Sequence, residues 1–165
     1  EQGLVILRAG RHSIWTTLTR HWTPRVRWSL RRLGAAAQAC EEAIELPTPR
    51  GTTRPQLLGS TESWPGETDD PELGAARLTW VRIATEPEAG SLVVRRERRD
   101  VNESTSDPRA TILVCAGQCG SLGACQPLPP SGELTIPTLP GLPTVLELRA
   151  TSAPFNETIR IAAGT

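Results

Sequence analysis

The sequence predicts a mainly β protein with an N-terminal α-helical segment, in which residues 78–165 form a β-sandwich. Three observations lead to this prediction. Short apolar or alternating runs, separated by Pro and Gly, recur six times after residue 77. A stripe of apolar residues at helical spacing occupies the second half of residues 1–46. Between these two regions, residues 47–77 are rich in Pro, Gly and acidic residues and predict a linker.

Each candidate strand is short and bounded by turn residues. Leu78–Ile83 and Leu92–Arg96 flank residues 86–90, whose Pro and Gly predict a hairpin between the two strands. The four further candidates are Ala110–Cys115, Glu133–Ile136, Thr144–Arg149 and Thr158–Ala163. Because few contacts should cross a linker, residues 78–165 are expected to fold without the residues that precede them.

Residues 132–150 carry a resemblance to a known family. Gly132-Glu133-Leu134-Thr135-Ile136 is followed by Leu139-Pro140-Gly141 and then by the alternating residues Leu146, Leu148 and Ala150. This order resembles the end of carboxypeptidase-regulatory-like and Cna-B-type domains, although the aromatic residue usual after the turn glycine is missing and the final strand is shifted by one residue. The resemblance implies a stalk or binding module without catalysis of its own. The expected fold class is an Ig-like or prealbumin-like β-sandwich in the C-terminal half.

Residues 23–46 contain the predicted helix. Thr23 is a suitable N-cap, and Pro24 occupies the first helical position, where its missing N–H costs nothing. Apolar residues then recur at intervals of three or four, at Val26, Leu30, Leu33, Ala37, Cys40 and Ile44, before Leu46-Pro47 ends the helix. Arginines near its start and glutamates near its end oppose the helix dipole. We therefore expect the helix to need a partner surface.

The composition limits the functions that the sequence supports. All 18 basic residues are Arg, and they balance 18 acidic residues, so the net charge is zero. Lys and Met are absent, as a GC-rich gene would produce, so the preference for Arg says little about phosphate recognition. Residues 1–46 carry seven Arg and four Glu, a net charge of +3. Only this segment would attract an anionic partner.

Three of the four cysteines, Cys115, Cys119 and Cys125, lie within eleven residues in a glycine-rich stretch. Their spacing does not match the paired C-x₂-C knuckles of zinc sites, and both histidines are distant in the sequence, so no metal site is expected. A local disulfide is predicted instead, joining Cys125 to Cys115 or Cys119. Cys40 lies on the apolar stripe and is expected to be a small buried hydrophobe.

Both asparagines of the chain lie in N-glycosylation sequons, at Asn102-Glu103-Ser104 and Asn156-Glu157-Thr158. A secreted or cell-surface glycoprotein is one interpretation. Chance occurrence of these tripeptides in a GC-rich bacterial sequence is the other, and the composition suits both. Together with the predicted disulfide, the sequons predict an extracellular or cell-surface location.

Residues 11–33 combine arginines and tryptophans without any acidic residue. The candidates for anion binding are Arg25, Arg27, Arg31, Arg32, Trp22 and Trp28. Such residues bind anionic membrane surfaces, and they also stack on and neutralise single-stranded nucleic acid. The alternative is a helix that packs on the sandwich, with arginine stems covering apolar surface. The helical spacing of the apolar stripe favours this second interpretation.

No arrangement of residues predicts catalysis. The sequence has no G-x-S-x-G or H-E-x-x-H motif and no recognisable set of nucleophile, histidine and acid, so neither a catalytic residue nor a cofactor is expected. The sequence predicts a non-catalytic recognition or spacer module of a larger protein. Its partner is then an unknown protein or the remainder of that larger chain. The other function left open is peripheral binding to anionic membranes or nucleic acid through residues 11–33.

Overall fold

β-Strands make up most of the described part of the chain. A computed structural model describes residues 40–46, 56–61, 64, 66–84, 90–98, 111–151 and 157–164. A 3-10 turn, Cys40–Glu42, precedes the strands within these residues. The strands are β1 (Ile44–Leu46), β2 (Gln56–Ser60), β3 (Gly66–Asp70), β4 (Gly74–Ile83), β5 (Ser91–Arg98), β6 (Ile112–Gln118), β7 (Ser121–Leu122), β8 (Gln126–Pro127), β9 (Glu133–Pro137), β10 (Thr144–Thr151) and β11 (Glu157–Ala163). None of the described residues forms a helix long and apolar enough to cross a membrane.

These strands form two sheets that share one hydrophobic core. The first sheet has the order β1-β4-β10-β6-β7, with β3 also paired to β4 and β8 to β6. The second sheet has the order β2-β11-β5-β9. β1 and β4 are parallel, and the other described pairs are antiparallel. Because the core cluster draws side chains from both sheets, the sheets pack face to face as a β-sandwich.

Alternation along the strands determines which side chains enter this core. Leu146 and Leu148 of β10 are fully buried, and Leu146 lies opposite Val81 of β4 in the ladder. In the second sheet, Val94 of β5 lies opposite Ile161 of β11, and both are also fully buried. Burying an aliphatic side chain of this size contributes about 1.5–3 kcal/mol. The alternating hydrophobic pattern of the sequence therefore supplies the core directly.

Trp64 closes one side of the sandwich. It lies in the short connection from β2 of the second sheet to β3 of the first sheet, and it is 1% exposed. Its backbone N–H donates a hydrogen bond to the carbonyl oxygen of Thr61 over 3.2 Å. Since a buried tryptophan contributes a large apolar surface, this connection between the sheets is part of the core.

The predicted helix is wrong over the residues that the structure describes. Residues 40–46 form the 3-10 turn and β1 instead of the last turns of an α-helix. Ile44 and Leu46 are buried while Glu45 is exposed, which is the alternation of a strand. Pairing with β4 places both apolar side chains in the core, and this tertiary gain outweighs local helix propensity. Residues 23–39 lie outside the described part.

The predicted hairpin between the strands now called β4 and β5 is also wrong. β4 pairs with β10 in the first sheet, whereas β5 pairs with β11 and β9 in the second sheet. The connection between them therefore crosses from one sheet to the other. Two strands separated by turn residues need not pair with each other, because sandwiches also use short connections between their sheets.

The segment predicted as a linker, residues 47–77, contains strands of the sandwich. β3 pairs with β4, with Asp70 opposite Gly74 at the turn. The Asp70 carboxylate accepts hydrogen bonds from the backbone N–H groups of Glu72 (2.8 Å) and Leu73 (3.2 Å). Gly74, with φ of 68°, completes this turn in a conformation that favours glycine. The Pro and Gly residues here separate strands, and β2 and β3 belong to the same sandwich as β4–β11.

Candidate functional site

A cleft opens between the two sheets. One wall is β9, an edge strand of the second sheet. The other wall is formed by β6, β7 and the turn leading to β8 in the first sheet. The cleft has a volume of about 380 Å³. Binding sites for small molecules and side chains typically begin near this size.

Apolar side chains from both sheets form the floor of the cleft. Val114 and Ile136 belong to the core and are 2% and 4% exposed. Ala116 and Leu134 pack against that core but are only partly buried. The polar side chains of the lining are Gln118, Ser121, Gln126 and Thr144. Since none of the described residues lining the cleft is ionisable, these residues offer apolar contact and neutral hydrogen-bonding groups.

The backbone of β9 borders this cleft as a strand edge. In an antiparallel ladder, every second residue points its N–H and C=O groups toward the partner strand. The N–H of Thr138 donates to the carbonyl oxygen of Gly90 over 3.2 Å, which continues the β5–β9 ladder. By alternation, Ile136 and Leu134 bond toward β5, whereas Glu133 and Thr135 direct their backbone groups away from it. No described strand pairs with this outer edge of β9.

A turn that follows β9 forms the rim of the cleft. Leu139 and Leu142 are 58% and 48% exposed, the two large hydrophobic side chains most open to solvent among the described residues. The N–H of Leu142 donates to the carbonyl oxygen of Leu139 over 3.2 Å, and Gly141 has φ of 72° within this turn. The Gln118 side chain of β6 donates to the Pro143 carbonyl oxygen over 2.7 Å. This hydrogen bond ties the rim to the opposite wall.

A disulfide and a glycine fix the wall formed by the first sheet. Cys115 of β6 is bonded to Cys125, which lies just before β8. A Cβ added to Gly117 would lie 2.5 Å from the backbone oxygen of Ser121 in β7, so only glycine allows this close approach. The glycine-rich spacing of the cysteines therefore has a packing role in shaping the wall.

The second disulfide joins Cys40 to Cys119, which are 79 positions apart in the sequence. The expectation that Cys40 is only a small buried hydrophobe is therefore wrong, although Cys40 is indeed buried, at 7% exposure. All four cysteines are bonded. Two disulfides indicate an oxidising environment outside the cytoplasm.

The most strongly perturbed ionisable groups among the described residues lie on the first sheet, away from the cleft. The Arg149 guanidinium is hydrogen-bonded to Glu147 over 2.9 Å and to Asp70. The backbone N–H of Glu72 and the guanidinium of Arg149 lower the pKa of Asp70 below its ordinary value of 3.8. The two carboxylates together raise the pKa of Arg149. These charges hold β3, β4 and β10 together, since Asp70 and Arg149 come from strands on either side of β4.

Within the described part of the chain, no three His, Cys, Asp or Glu side chains come together as a metal site. The Asp70, Glu147 and Arg149 side chains satisfy one another and the turn, as an ion-pair network of a structural kind does. Among the described residues, the neutral cleft has the size and apolar lining of a binding site.

Several residues singled out in the sequence lie outside the described residues. These are the sequon asparagines and the anion-binding candidates: Asn102, Asn156, Arg25, Arg27, Arg31, Arg32, Trp22 and Trp28. Of the three clustered cysteines, the structure bonds Cys115 to Cys125, whereas Cys119 bonds to the distant Cys40.

Sequence reasoning missed the cleft, although it predicted strands at β6, β9 and β10, which contribute to its lining; β7 and β8 were not predicted. Leu134 and Ile136 are recognisable in the sequence only as the hydrophobic positions of a strand. The Leu-Pro-Gly sequence that begins at Leu139 forms the turn at the rim. It is the one local signal near β9 in the sequence, and the structure shows that its Leu139 is exposed.

Comparison with known proteins adds no family. The sequence matches no family model. It also matches no curated protein.

Proposed function

We propose that this chain is a non-catalytic recognition module of an extracellular or cell-surface protein, and that it binds an extended peptide segment of its partner in the cleft beside β9. A single observation supports the proposal. The cleft combines an apolar floor, exposed leucines at its rim and a strand edge with outward-pointing backbone groups. An added peptide strand uses all three features at once.

The backbone groups of β9 set the length of the peptide that fits. Glu133 and Thr135 each offer an N–H and a C=O, and Pro137 offers only a C=O. Each new hydrogen bond contributes about 0.5–1.5 kcal/mol. Because Pro137 has no N–H to donate, the ladder ends there, and the same proline discourages unlimited edge-to-edge association.

The side chains of the cleft set the chemistry of the peptide. Alternate residues of an added strand would point between the sheets, toward Leu134, Ile136 and Ala116. The described residues of the lining carry no charge, so uncharged apolar side chains fit them best. At the end of the strand, Arg95 and Glu133 form an exposed ion pair of 2.9 Å, which leaves that end of the edge electrically neutral as well.

The two disulfides support the extracytoplasmic part of the proposal. Secretion, and glycosylation at Asn102 and Asn156, extend this proposal. The finer fold assignment is also a proposal. An Ig-like or prealbumin-like sandwich of the carboxypeptidase-regulatory-like or Cna-B type would suit a stalk or binding module.

The experiment uses the oxidised chain and an array of uncharged hexapeptides in which Val or Leu alternates with Thr or Ser. Binding of the best peptide is measured by fluorescence anisotropy for the wild type, Thr135→Pro and the matched control Thr135→Ala. Thr135→Pro removes the outward N–H without breaking the β5 ladder, so we expect affinity to fall about two- to tenfold, the loss of one hydrogen bond. Thr135→Ala keeps the N–H and should bind nearly as the wild type does.

A second variant tests the apolar part of the cleft. Leu139→Ser should also weaken binding of the same peptide, because it removes apolar surface from the rim of the cleft. Leu139 is already exposed in the free protein. Equal affinity for Thr135→Pro and Thr135→Ala would contradict strand addition. If no peptide of the array bound, recognition at this cleft would be refuted, and spacing within a larger protein would remain as the function.

A further inference from the structure

The two disulfides share one arrangement, in which a buried cysteine is bonded to an exposed one. Cys40 is 7% exposed and Cys115 is fully buried, whereas their partners Cys119 and Cys125 are exposed. A thiol in solution therefore reaches each bond at its exposed cysteine. Attack there breaks the S–S bond and releases the buried sulfur as a thiolate, so the charges near each bond decide which bond opens faster.

The Arg82 guanidinium of β4 contacts both cysteines of the Cys40–Cys119 bond. Its Nη2 atom donates to the Cys40 carbonyl oxygen over 3.1 Å and lies 3.8 Å from the Sγ atom of Cys119, in a contact that is exposed to solvent. In thiol–disulfide exchange, the negative charge of the attacking thiolate spreads over three sulfurs, and the central sulfur here belongs to Cys119. A cation at this distance stabilises that charge.

Carboxylates near this bond are exposed to water. Glu45 of β1 lies 3.6 Å from Nη1 of Arg82, but its side chain is 74% exposed, whereas that of Arg82 is 29% exposed. Glu41 and Glu42 are exposed as well. Water and salt screen such carboxylates, while the guanidinium contacts the Cys119 sulfur directly. The charge in contact with the reacting sulfur is therefore positive.

The Cys115–Cys125 bond has the opposite charge beside it. Cys115 is the ladder neighbour of Glu147 on β10, so the two side chains lie on the same face of the sheet, with their Cβ atoms about 5 Å apart. Glu147 and Asp70 both bond to Arg149, and these two carboxylates and one guanidinium have a net charge of −1. A thiolate released at Cys115 would be buried beside that negative charge, which disfavours its release.

We propose that Cys119 is a thiol-reactive site, at which a small neutral thiol opens the Cys40–Cys119 disulfide faster than the other disulfide because Arg82 stabilises the charge of the exchange. The thiolate of the reagent forms a bond to Cys119 Sγ, the Cys40–Cys119 bond breaks, and its electron pair stays on Cys40 Sγ. A second thiolate then attacks the sulfur of the bound reagent and releases Cys119 as a thiolate. Two thiols are thus oxidised to a disulfide for each protein disulfide reduced.

The reactive bond lies next to one wall of the cleft. Cys40 precedes β1, and Cys119 lies in the turn between β6 and β7. Its neighbours Gln118 and Ser121 line the cleft. Opening the bond releases this turn from the segment before β1, while the second disulfide still joins β6 to the residue before β8. A thiol bound to Cys119 therefore modifies the protein beside the wall that β6 and β7 form.

The test uses the oxidised, full-length chain and 2-mercaptoethanol as the thiol. Samples taken over time are quenched with acid, labelled with a maleimide and mapped by mass spectrometry of unreduced peptides. In the wild type, the adduct on Cys119 and the maleimide on Cys40 should appear before any label on Cys115 or Cys125. A contacting cation changes the acidity of a thiol about tenfold or more, and each tenfold change alters exchange rates about threefold. Arg82→Gln should therefore open the Cys40–Cys119 bond at least about threefold more slowly.

Two further variants separate the charge of Arg82 from its place in the fold. Arg77→Gln is the matched control, because Arg77 lies on the same strand, has the same 29% side-chain exposure and also pairs with one glutamate; it should react as the wild type does. Arg82→Lys keeps the positive charge and should retain most of the rate.

Three outcomes would overturn the proposal. They are earlier opening of Cys115–Cys125 in the wild type, a first adduct on Cys40 instead of Cys119, and equal rates for Arg82→Gln and Arg77→Gln. If Arg82→Gln unfolds, as faster opening of Cys115–Cys125 in that variant would show, the order of opening in the wild type and the rate of Arg82→Lys decide instead.

Discussion

The two disulfides should contribute unequally to stability, because they close loops of very different length. Cys40–Cys119 spans 79 positions and Cys115–Cys125 spans 10. Each bond joins a buried cysteine, Cys40 or Cys115, to an exposed one, so the packing lost on replacement is similar. Replacing each pair with Ala therefore isolates the effect of loop length on the unfolded chain.

The loop-entropy relation gives the size of this difference. Closing the longer loop stabilises the folded state by about 4.5 kcal/mol, and closing the shorter loop by about 2.7 kcal/mol. For a protein of this size, 1 kcal/mol shifts Tm by about 2–4 °C. We therefore expect Tm to fall by about 9–18 °C in Cys40→Ala/Cys119→Ala and by about 5–11 °C in Cys115→Ala/Cys125→Ala.

Calorimetry and urea unfolding of the wild type and both double variants measure this difference. Thiol titration of the denatured, unreduced wild type is the control, and it should find no free thiol, because all four cysteines are bonded. The reasoning fails if the Cys115→Ala/Cys125→Ala variant loses as much stability as the other, or more. In that case local packing in the wall of the cleft, and not loop closure, would dominate.

Three further perturbations test other parts of the fold. Trp64→Ala should lower the free energy of unfolding by about 3–5 kcal/mol in urea titrations, because it empties the closed side of the core; a cost below 1 kcal/mol would show that this side can collapse. Asp70→Asn should destabilise the protein at neutral pH, because ionised Asp70 stabilises the fold above pH 3.8. That difference should disappear as the pH falls through the lower pKa of folded Asp70, and a pH-independent difference would contradict the ion pair with Arg149. A chain beginning at Gly74 lacks β1, β2, β3 and Trp64, so calorimetry should show no cooperative melting; a sharp transition would restore the linker interpretation.

The strands after residue 77 were predictable because their signal is local. Glu133–Ile136 and Thr144–Arg149 alternate apolar and polar residues between Pro and Gly, and both form strands at nearly these bounds. The prediction of a disulfide among the clustered cysteines is likewise confirmed, by the Cys115–Cys125 bond. Its signal was local too, because clustered cysteines without nearby histidines favour a disulfide over a metal site. The β3–β4 turn also had a local signal, Asp70-Pro71 followed by Gly74, but the density of Pro and Gly around it masked the short strands.

By itself, the sequence determined the mainly β class, the positions of six strands and the oxidising chemistry of the cysteines. Only the tertiary structure decided that β4 and β5 belong to different sheets and that Cys119 bonds to Cys40. It also decided that residues 44–46 form strand β1, where the sequence pattern had predicted the end of a helix. The cleft beside β9 also exists only in three dimensions, because its walls come from separate sheets. The physical reason is that periodicity records which face of a segment is apolar, whereas strand partners depend on how distant segments together bury that face.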